Sequence, residues 1–251
     1  MFYLIQKNTF QYENYHKLIE TLERLNLAYE VIDCKPFIEE VEFNIDRKDI
    51  FVFGSVKLAR LAKKYNFYPG SFYGGNHDFS IHSKYYGDNM LNYDSKIIKY
   101  TDYLDWQLNE VKFIRPCKDS KLFNGKLFTK VKWEDMKLQS GLNIPDDSLI
   151  QIASPKAIYK EVRLWIVGDK IVTSSYYFFH SNVVWLDGVE PEALEFGQQM
   201  VDLYKVAPAF VMDVCQTPDG WKIVEINCIN SSGFYKVDIQ KLLIALENKF
   251  N

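Results

Sequence analysis

The sequence predicts an α/β fold in its N-terminal part and an α+β fold in its C-terminal part. Three observations carry this. Over residues 1 to about 70, short apolar strand-like runs alternate with segments of helical period, the pattern of a parallel layer. After about residue 96, strand-like runs come in hairpin pairs beside helices. Between them, residues 68–95 are rich in Gly, Asn and Tyr and read as a long connection that covers something.

The elements follow in order. "MFYLIQ" reads as a first strand; no basic stretch and long apolar run mark it as a signal peptide. "ENYHKLIETLERLN" places Tyr15, Leu18, Ile19, Leu22 and Leu25 at helical spacing. "AYEVIDC" and "DIFVFGS" are strands. "SVKLARLAKKY" is a helix with Ser55 as its N-cap. "SKIIKYTDYLDWQLN" reads as helical. "KFIRP", "KLFTKV", "LIQIAS" and "EVRLWIVGDKIVTSSYYF" are strand-like. "GVEPEALEFGQQMVDLYKV" is a helix with Pro191 in its first turn, and "KVDIQKLLIALENKF" is a terminal helix.

Composition narrows the function. The chain has 251 residues, 47% of them hydrophobic, and a net charge of −3. A balance this close to neutral suggests neither nucleic acid nor an acidic membrane as partner. No run reaches the ~18 apolar residues of a membrane span, so a cytoplasmic protein is expected. Cys34, Cys117, Cys215 and Cys228 are scattered, without metal-ligand spacing, and are expected as reduced packing thiols.

"FVMDVCQTPDGWKIVEIN" holds the sharpest signal. Asp213 and Glu225 interrupt runs that otherwise read as buried strand, and burying a carboxylate is costly unless something compensates it. Pro218 and Gly220 are turn residues. A three-residue loop closed by a bulge at Gly220 sets Thr217 against Trp221 and Asp213 against Glu225. Asn227 then shares the face of Glu225, while Met212, Val214, Val224 and Ile226 point to a core. Either a divalent cation joins the two acids, or they sit on an exposed face with Asn227 capping a turn. On the cation reading, Asp213→Asn or Glu225→Gln leaves the metal-free fold as stable as before, or slightly more so.

Two further segments are charged. Residues 112–137 carry eight cations, among them Arg115, Lys121, Lys126, Lys130 and Lys132, around the short loop "KLFNGK". Such a loop would lie over phosphates or form a solvated basic surface. In "YKEVRLWIVGDKIV", Glu161, Arg163 and Trp165 share one strand face. Arg163 needs an anionic partner there, a phosphate or a protein carboxylate. No G-x-G-x-x-G follows the first strand, which speaks against a dinucleotide site.

"FIRP", "KLFNGK", "LIQIASP", "KEVRLWIVGDKIV", "FVMDV" and "IVEINCINSSGFY", in this order, resemble the ATP-grasp family. With "FGSVKLARLAKKYNFYPGSF" and "MLNYD" before them, the chain is similar to a branch named for an arginine and two lysines, common in bacteria and bacteriophages. The resemblance implies a pre-ATP-grasp α/β domain at 1–95 and an ATP-grasp domain of two α+β subdomains at 96–251, with ATP between them. It implies that Gln151, Ile152, Ala153 and Ser154 read the adenine through their backbone. It places Arg115, Lys121, Lys126, Glu161 and Arg163 at the nucleotide, Arg163 and Lys121 being catalytic. Asp213, Glu225 and Asn227 would hold Mg²⁺, and Ser231, Ser232 and Gly233 would form a substrate loop. The implied activity is ligation of a small-molecule or peptide carboxylate to an amine through an acylphosphate. The alternatives are a small-molecule kinase or a non-catalytic nucleotide-binding protein.

Overall fold

The computed structural model describes residues 1–7, 9–10, 12–34, 46–118, 122–138, 144–179 and 182–251. Lys121 therefore lies outside the described residues, and nothing further is said of its place.

The N-terminal layer is a parallel sheet in the order β2 (Tyr29–Ile32), β1 (Phe2–Gln6), β3 (Ile50–Phe53). Both faces are covered, as parallel sheets require. On one face α1 (Tyr12–Arg24) delivers Leu18 and Leu22 to Tyr3, Ile5, Phe51 and Phe53. On the other, α2 (Val56–Lys64) delivers Leu58, Leu61 and Ala62 to Leu4, Ile50 and Val52. Ser55 caps α2 as expected, its Oγ accepting from the Leu58 N–H at 3.4 Å.

The connection over 68–95 is more structured than expected. It contains α3 (Phe79–Tyr86), and Phe79, Tyr86 and Met90 enter the core under the later sheet. The Tyr86 hydroxyl donates to the Tyr204 carbonyl at 2.9 Å. Packing of these aromatics explains why so Gly- and Asn-rich a stretch is not an open loop.

A second, antiparallel sheet runs β4 (Lys96–Lys99), β7 (Leu149–Ala153), β5 (Val111–Pro116), β6 (Lys126–Thr129). The expected helix at 95–109 is thus corrected to an edge strand: Ile98 packs inward while Ile97 is exposed, a period of two. The expected strand "KLFTKV" is corrected as well. It ends at Thr129, whose Oγ1 accepts from Lys132 N–H at 3.4 Å, and α4 (Lys130–Leu138) begins. Trp133 and Met136, three residues apart, bury that helix against Ile114, Phe128 and Ile150.

The largest sheet is antiparallel: β10 (Asn182–Leu186), β9 (Lys170–Phe179), β8 (Lys160–Val167), β11 (Ala209–Thr217), β12 (Gly220–Asn227). Val162, Leu164 and Ile166 of β8 face α5 (Pro191–Leu203). Trp165 and Val167 face α6 (Ile239–Phe250) and the N-terminal sheet. A Cβ on Gly197 of α5 would stand 2.2 Å from Leu164 Cδ1, so the absent side chain sets how closely helix and sheet approach. All four cysteines are buried and free. Among the described residues, no helix is long and apolar enough to cross a membrane.

Candidate active site

The hairpin of β11 and β12 brings Asp213 opposite Glu225, as the sequence predicts, but by another route. Thr217 pairs with Gly220 rather than Trp221, and the extra residue sits at Val224, where the register shifts. The turn is tightened by Thr217, whose Oγ1 accepts from Asp219 N–H and donates to the Gly220 carbonyl. Gly220 has φ of +100°, which a side chain would resist. The bulge turns Val224 out of the core it was expected to join: Ile223 takes that place, and Val224 lines a cavity beside Glu225.

The acids are matched by two arginines. Arg163, paired across β8 with Asp213, donates through Nε to Oδ1 and through Nη2 to Oδ2, both at 2.7 Å. Its third contact is the Gly233 carbonyl at 3.4 Å. Arg115, on β5 of the neighbouring sheet, reaches Glu225 Oε2 at 2.7 Å. Asn227 Nδ2 links the acids, donating to Asp213 Oδ2 at 3.1 Å and Glu225 Oε1 at 2.7 Å. The two carboxyls are driven apart in acidity. Burial pushes Asp213 up to about 7 against the pull of Arg163. Glu225 resists its burial: Arg115, and then the Asn227 amide, hold it down at about 2.

Between the two antiparallel sheets lies a cavity of about 470 Å³. Arg115, Lys126 and Lys156 bring positive charge to it, and Glu161 and Glu225 negative charge. Burial raises Glu161 above the usual carboxylate range, although the Tyr177 hydroxyl donates to it. A smaller recess of about 220 Å³ adjoins, with Lys118 and Asn124 beside Arg115 and Glu225. Gly125 closes over this region: a Cβ there would come within 2.9 Å of Arg115 Cβ and 3.1 Å of the Phe113 ring.

The structure places the predicted residues unevenly. Arg115, Lys126, Glu161 and Glu225 meet at the cavity. Asp213 and Asn227 lie buried behind Glu225. Arg163 is corrected from phosphate ligand to partner of a protein carboxylate, because both of its outer nitrogens and its Nε are engaged within the sheet. Gln151 and Ile152 have strand partners on both sides, Ile97 and Arg115, Lys96 and Ile114. Their backbone is taken up by the ladder, and with Ala153 they are buried. Ser154 follows the strand exposed, and the cavity wall in this segment is Lys156 and Ile158. Ser232 is buried with its Oγ on the Ile229 carbonyl, and Ser231 and Gly233 flank it, the Gly233 carbonyl reaching Arg163. Lys130 and Lys132 open α4 instead of extending a strand.

Three residues escaped the sequence reading. Tyr177 and Tyr235 place their rings 5.6 and 4.6 Å from the Arg163 guanidinium and stack on each other at 5.4 Å. Asn230 is fully buried: its Nδ2 donates to the Val52 and Gly70 carbonyls, and its Oδ1 accepts from Phe72 N–H. It ties the loop after β12 to the N-terminal sheet. Its only advance signal was a second Asn three residues after Asn227 in "NCINSS".

The chemistry of the donor set suits a hard divalent cation. Two carboxylates and an amide lie within hydrogen-bonding distance of one another, and Glu225 opens on the cavity. Among the described residues no group of three or more His, Cys, Asp and Glu is placed to hold a metal, so Asn227 is the necessary third member.

Solved structures share this architecture. The D-alanine–D-alanine ligase from Bacillus anthracis complexed with ATP superposes with a TM-score of 0.65 at 13% identity, over 99% of this chain and 97% of that one. The ATP-grasp ligase PsnB with a minimal precursor gives 0.57 at 12% identity, over 99% and 98%. D-cycloserine synthetase DcsG gives 0.58 at 7% identity, over the whole of both chains. Identities this low speak for the fold alone. No curated protein matches the sequence. The model of an ATP-grasp domain family, described as family 3 of the clade named for an arginine and two lysines, matches residues 89–246, well over half of the chain. The chain belongs to that ATP-grasp family.

Proposed function

We propose that the chain is an ATP-dependent ligase joining a small-molecule or peptide carboxylate to an amine, of the branch named for an arginine and two lysines. In this reading residues 1–95 form the accessory domain and 96–251 the nucleotide-binding one, in the cytoplasm, without nucleic acid or membrane as partner. One observation carries it. Arg115 on one sheet and Glu225 on the other meet across a 470 Å³ cavity, so a phosphate-type cation faces a metal-type carboxylate. ATP would lie in this cavity, its phosphates toward Arg115 and Lys126, with Lys121 joining from the loop between them.

Asp213, Glu225 and Asn227 would hold Mg²⁺, which when bound neutralises charge on phosphate oxygens. The residues of the chain position the reactants. Arg115 exchanges Glu225 for phosphate, and Lys126 and Lys156 add charge at the rim. Arg163 fixes Asp213 and, through the Gly233 carbonyl, the loop Ser231–Gly233. A substrate carboxylate oxygen attacks the γ-phosphorus and ADP leaves. The amine nitrogen then attacks the acyl carbon, phosphate leaves with the bonding electrons, and the nitrogen loses a proton. No Ser or Cys nucleophile is needed.

The test is direct. Mg·ATP should raise the melting temperature, ADP should do so less, and NAD not at all. Incubation with Mg·ATP and a metabolite or dipeptide library, read by mass spectrometry, should give ADP, phosphate and a condensed product. A phosphorylated product with ADP would instead mean a kinase, and stabilisation by NAD but not ATP would overturn the nucleotide reading.

A further inference from the structure

A second cavity lies outside the nucleotide cleft, on the far side of Tyr235. It has a volume of about 520 Å³, within the ~300–1,000 Å³ of small-molecule sites. Its walls come from α1, the start of β9, the segment after β10 and the residues leading into α6. None of its lining belongs to the nucleotide cavity, and Tyr235 joins the two regions. One side of Tyr235 lines this space, while its ring lies 4.6 Å from the Arg163 guanidinium that holds Asp213. Tyr235 has φ of +47°, a conformation L side chains rarely adopt and one that tends to persist where function requires it.

The charges of this cavity are specific. Lys17, Lys236 and Asp187 line it, and none has an ion-pair partner among the described residues. Lys241 and Asp238 line it too, but they pair with each other at 3.7 Å. Asn14 lines it at 6% exposure, and its amide has no hydrogen-bond partner among the described residues. A buried amide without a partner is rare, because leaving it unpaired costs free energy that a bound group would recover.

We infer that this cavity binds a molecule carrying two carboxylates and one ammonium: an acidic amino acid, free or as part of a dipeptide. Lys17 and Lys236 match the two carboxylates, Asp187 matches the ammonium, and Asn14 hydrogen-bonds the ligand's polar backbone. The inference rests on the ligase reading, since it names the substrate class that reading leaves open. Tyr235 then separates the ligand from the carboxylate cluster and sets which end of it faces the nucleotide.

The probe is alanyl-glutamate, titrated calorimetrically into the full chain with Mg·ATP titrated separately. Alanyl-glutamine and N-acetyl-alanyl-glutamate serve as controls lacking one charge each. Alanyl-glutamate should bind at least tenfold more tightly than either control. Lys17→Met and Lys236→Met should each weaken it tenfold or more, with ATP affinity and melting temperature unchanged. Asp187→Asn should remove the preference over the acetylated control. If alanyl-glutamate does not bind at millimolar concentration while ATP does, or if both lysine variants bind it as wild type does, the inference is overturned and the ligase reading stands. If ATP fails to bind, the ligase reading falls, and the dipeptide titrations still decide what the cavity takes.

Discussion

Two arginine–carboxylate pairs stand side by side, and they differ in one respect that decides their roles. Arg163 and Asp213 are sealed, with side chains 7% and 1% exposed, in one sheet. Arg115 and Glu225 are 22% and 27% exposed and bridge two sheets across a cavity. The sealed pair has bidentate geometry, two aromatic rings about its guanidinium and an Asn amide on its carboxylate. Nothing from solution reaches it without moving the fold. The open pair has a single contact within reach of ligand. A pair of the first kind orients; a pair of the second kind exchanges partners.

The largest expected effect follows from the sealed pair. Asp213→Asn keeps the shape of the side chain but leaves a buried guanidinium without its counter-charge. Breaking a buried pair in this way costs about 3–5 kcal/mol. Urea unfolding of the metal-free protein should show that loss. This corrects the expectation that removing a charge leaves the metal-free fold unharmed, which supposed two acids repelling without protein cations between them. A loss below ~1 kcal/mol would erase the distinction between the pairs.

Next in size is a pH effect behind the open pair. His82 is buried against the recess that holds Arg115, Cys117 and Glu225. Burial lowers its pKa to about 4, with the Asn76 carbonyl opposing. The folded chain therefore keeps it neutral where the unfolded chain, near 6.5, takes up a proton. Its contribution is complete above about pH 6.5 and is lost as pH falls through that value toward 4, up to ~3 kcal/mol. His82→Gln should flatten the stability curve over this window relative to wild type. An unchanged slope would mean that His82 is not sealed, and that solvent reaches behind the open pair.

How much of this was legible follows from the same residues. Local signals were strong where the period was regular: α1, α2 with its Ser55 cap, α5 and α6 all stand where the pattern put them. Periodicity failed over "SKIIK", where Ile97 and Ile98 alternate too briefly to tell strand from helix, and after Thr129, where strand passes into helix within one residue. In the site, the opposition of Asp213 and Glu225 was legible because turn and bulge together add one residue wherever the bulge sits. What compensates them was not. Arg115 is 110 residues from Glu225 in the chain, and Arg163 is 50 from Asp213, so only the tertiary arrangement pairs them. Tyr235 and Asn230 carry no motif, and their roles come from packing between layers.

A smaller effect tests whether the sealed pair depends on its strand. Gly197→Ala would place a Cβ 2.2 Å from Leu164 Cδ1, next to Arg163 on β8. Overpacking of this kind costs about 1–3 kcal/mol, against a helix-propensity gain of at most ~1 kcal/mol. The variant should melt lower, and Leu164→Val in the same chain should recover part of the loss. A variant as stable as wild type would show that α5 shifts freely over β8.

The smallest stability effect belongs to the open pair, and there the comparison is sharpest. Arg115→Ala removes a partly exposed ion pair, which is worth about 1 kcal/mol or less. Unfolding curves should barely move. Affinity for Mg·ATP should nevertheless fall tenfold or more, because the residue that leaves Glu225 for phosphate is gone. Glu225→Gln separates the two roles of the pair: it frees Arg115, so ATP without metal should bind as well as in wild type, or better, while Mg²⁺-dependent turnover falls by orders of magnitude. In the double variant the two losses of Mg·ATP affinity should not add, since each side chain acts partly through the other. Additive losses would mean that Arg115 and Glu225 serve the nucleotide independently, and that their 2.7 Å contact is only where the two happen to rest.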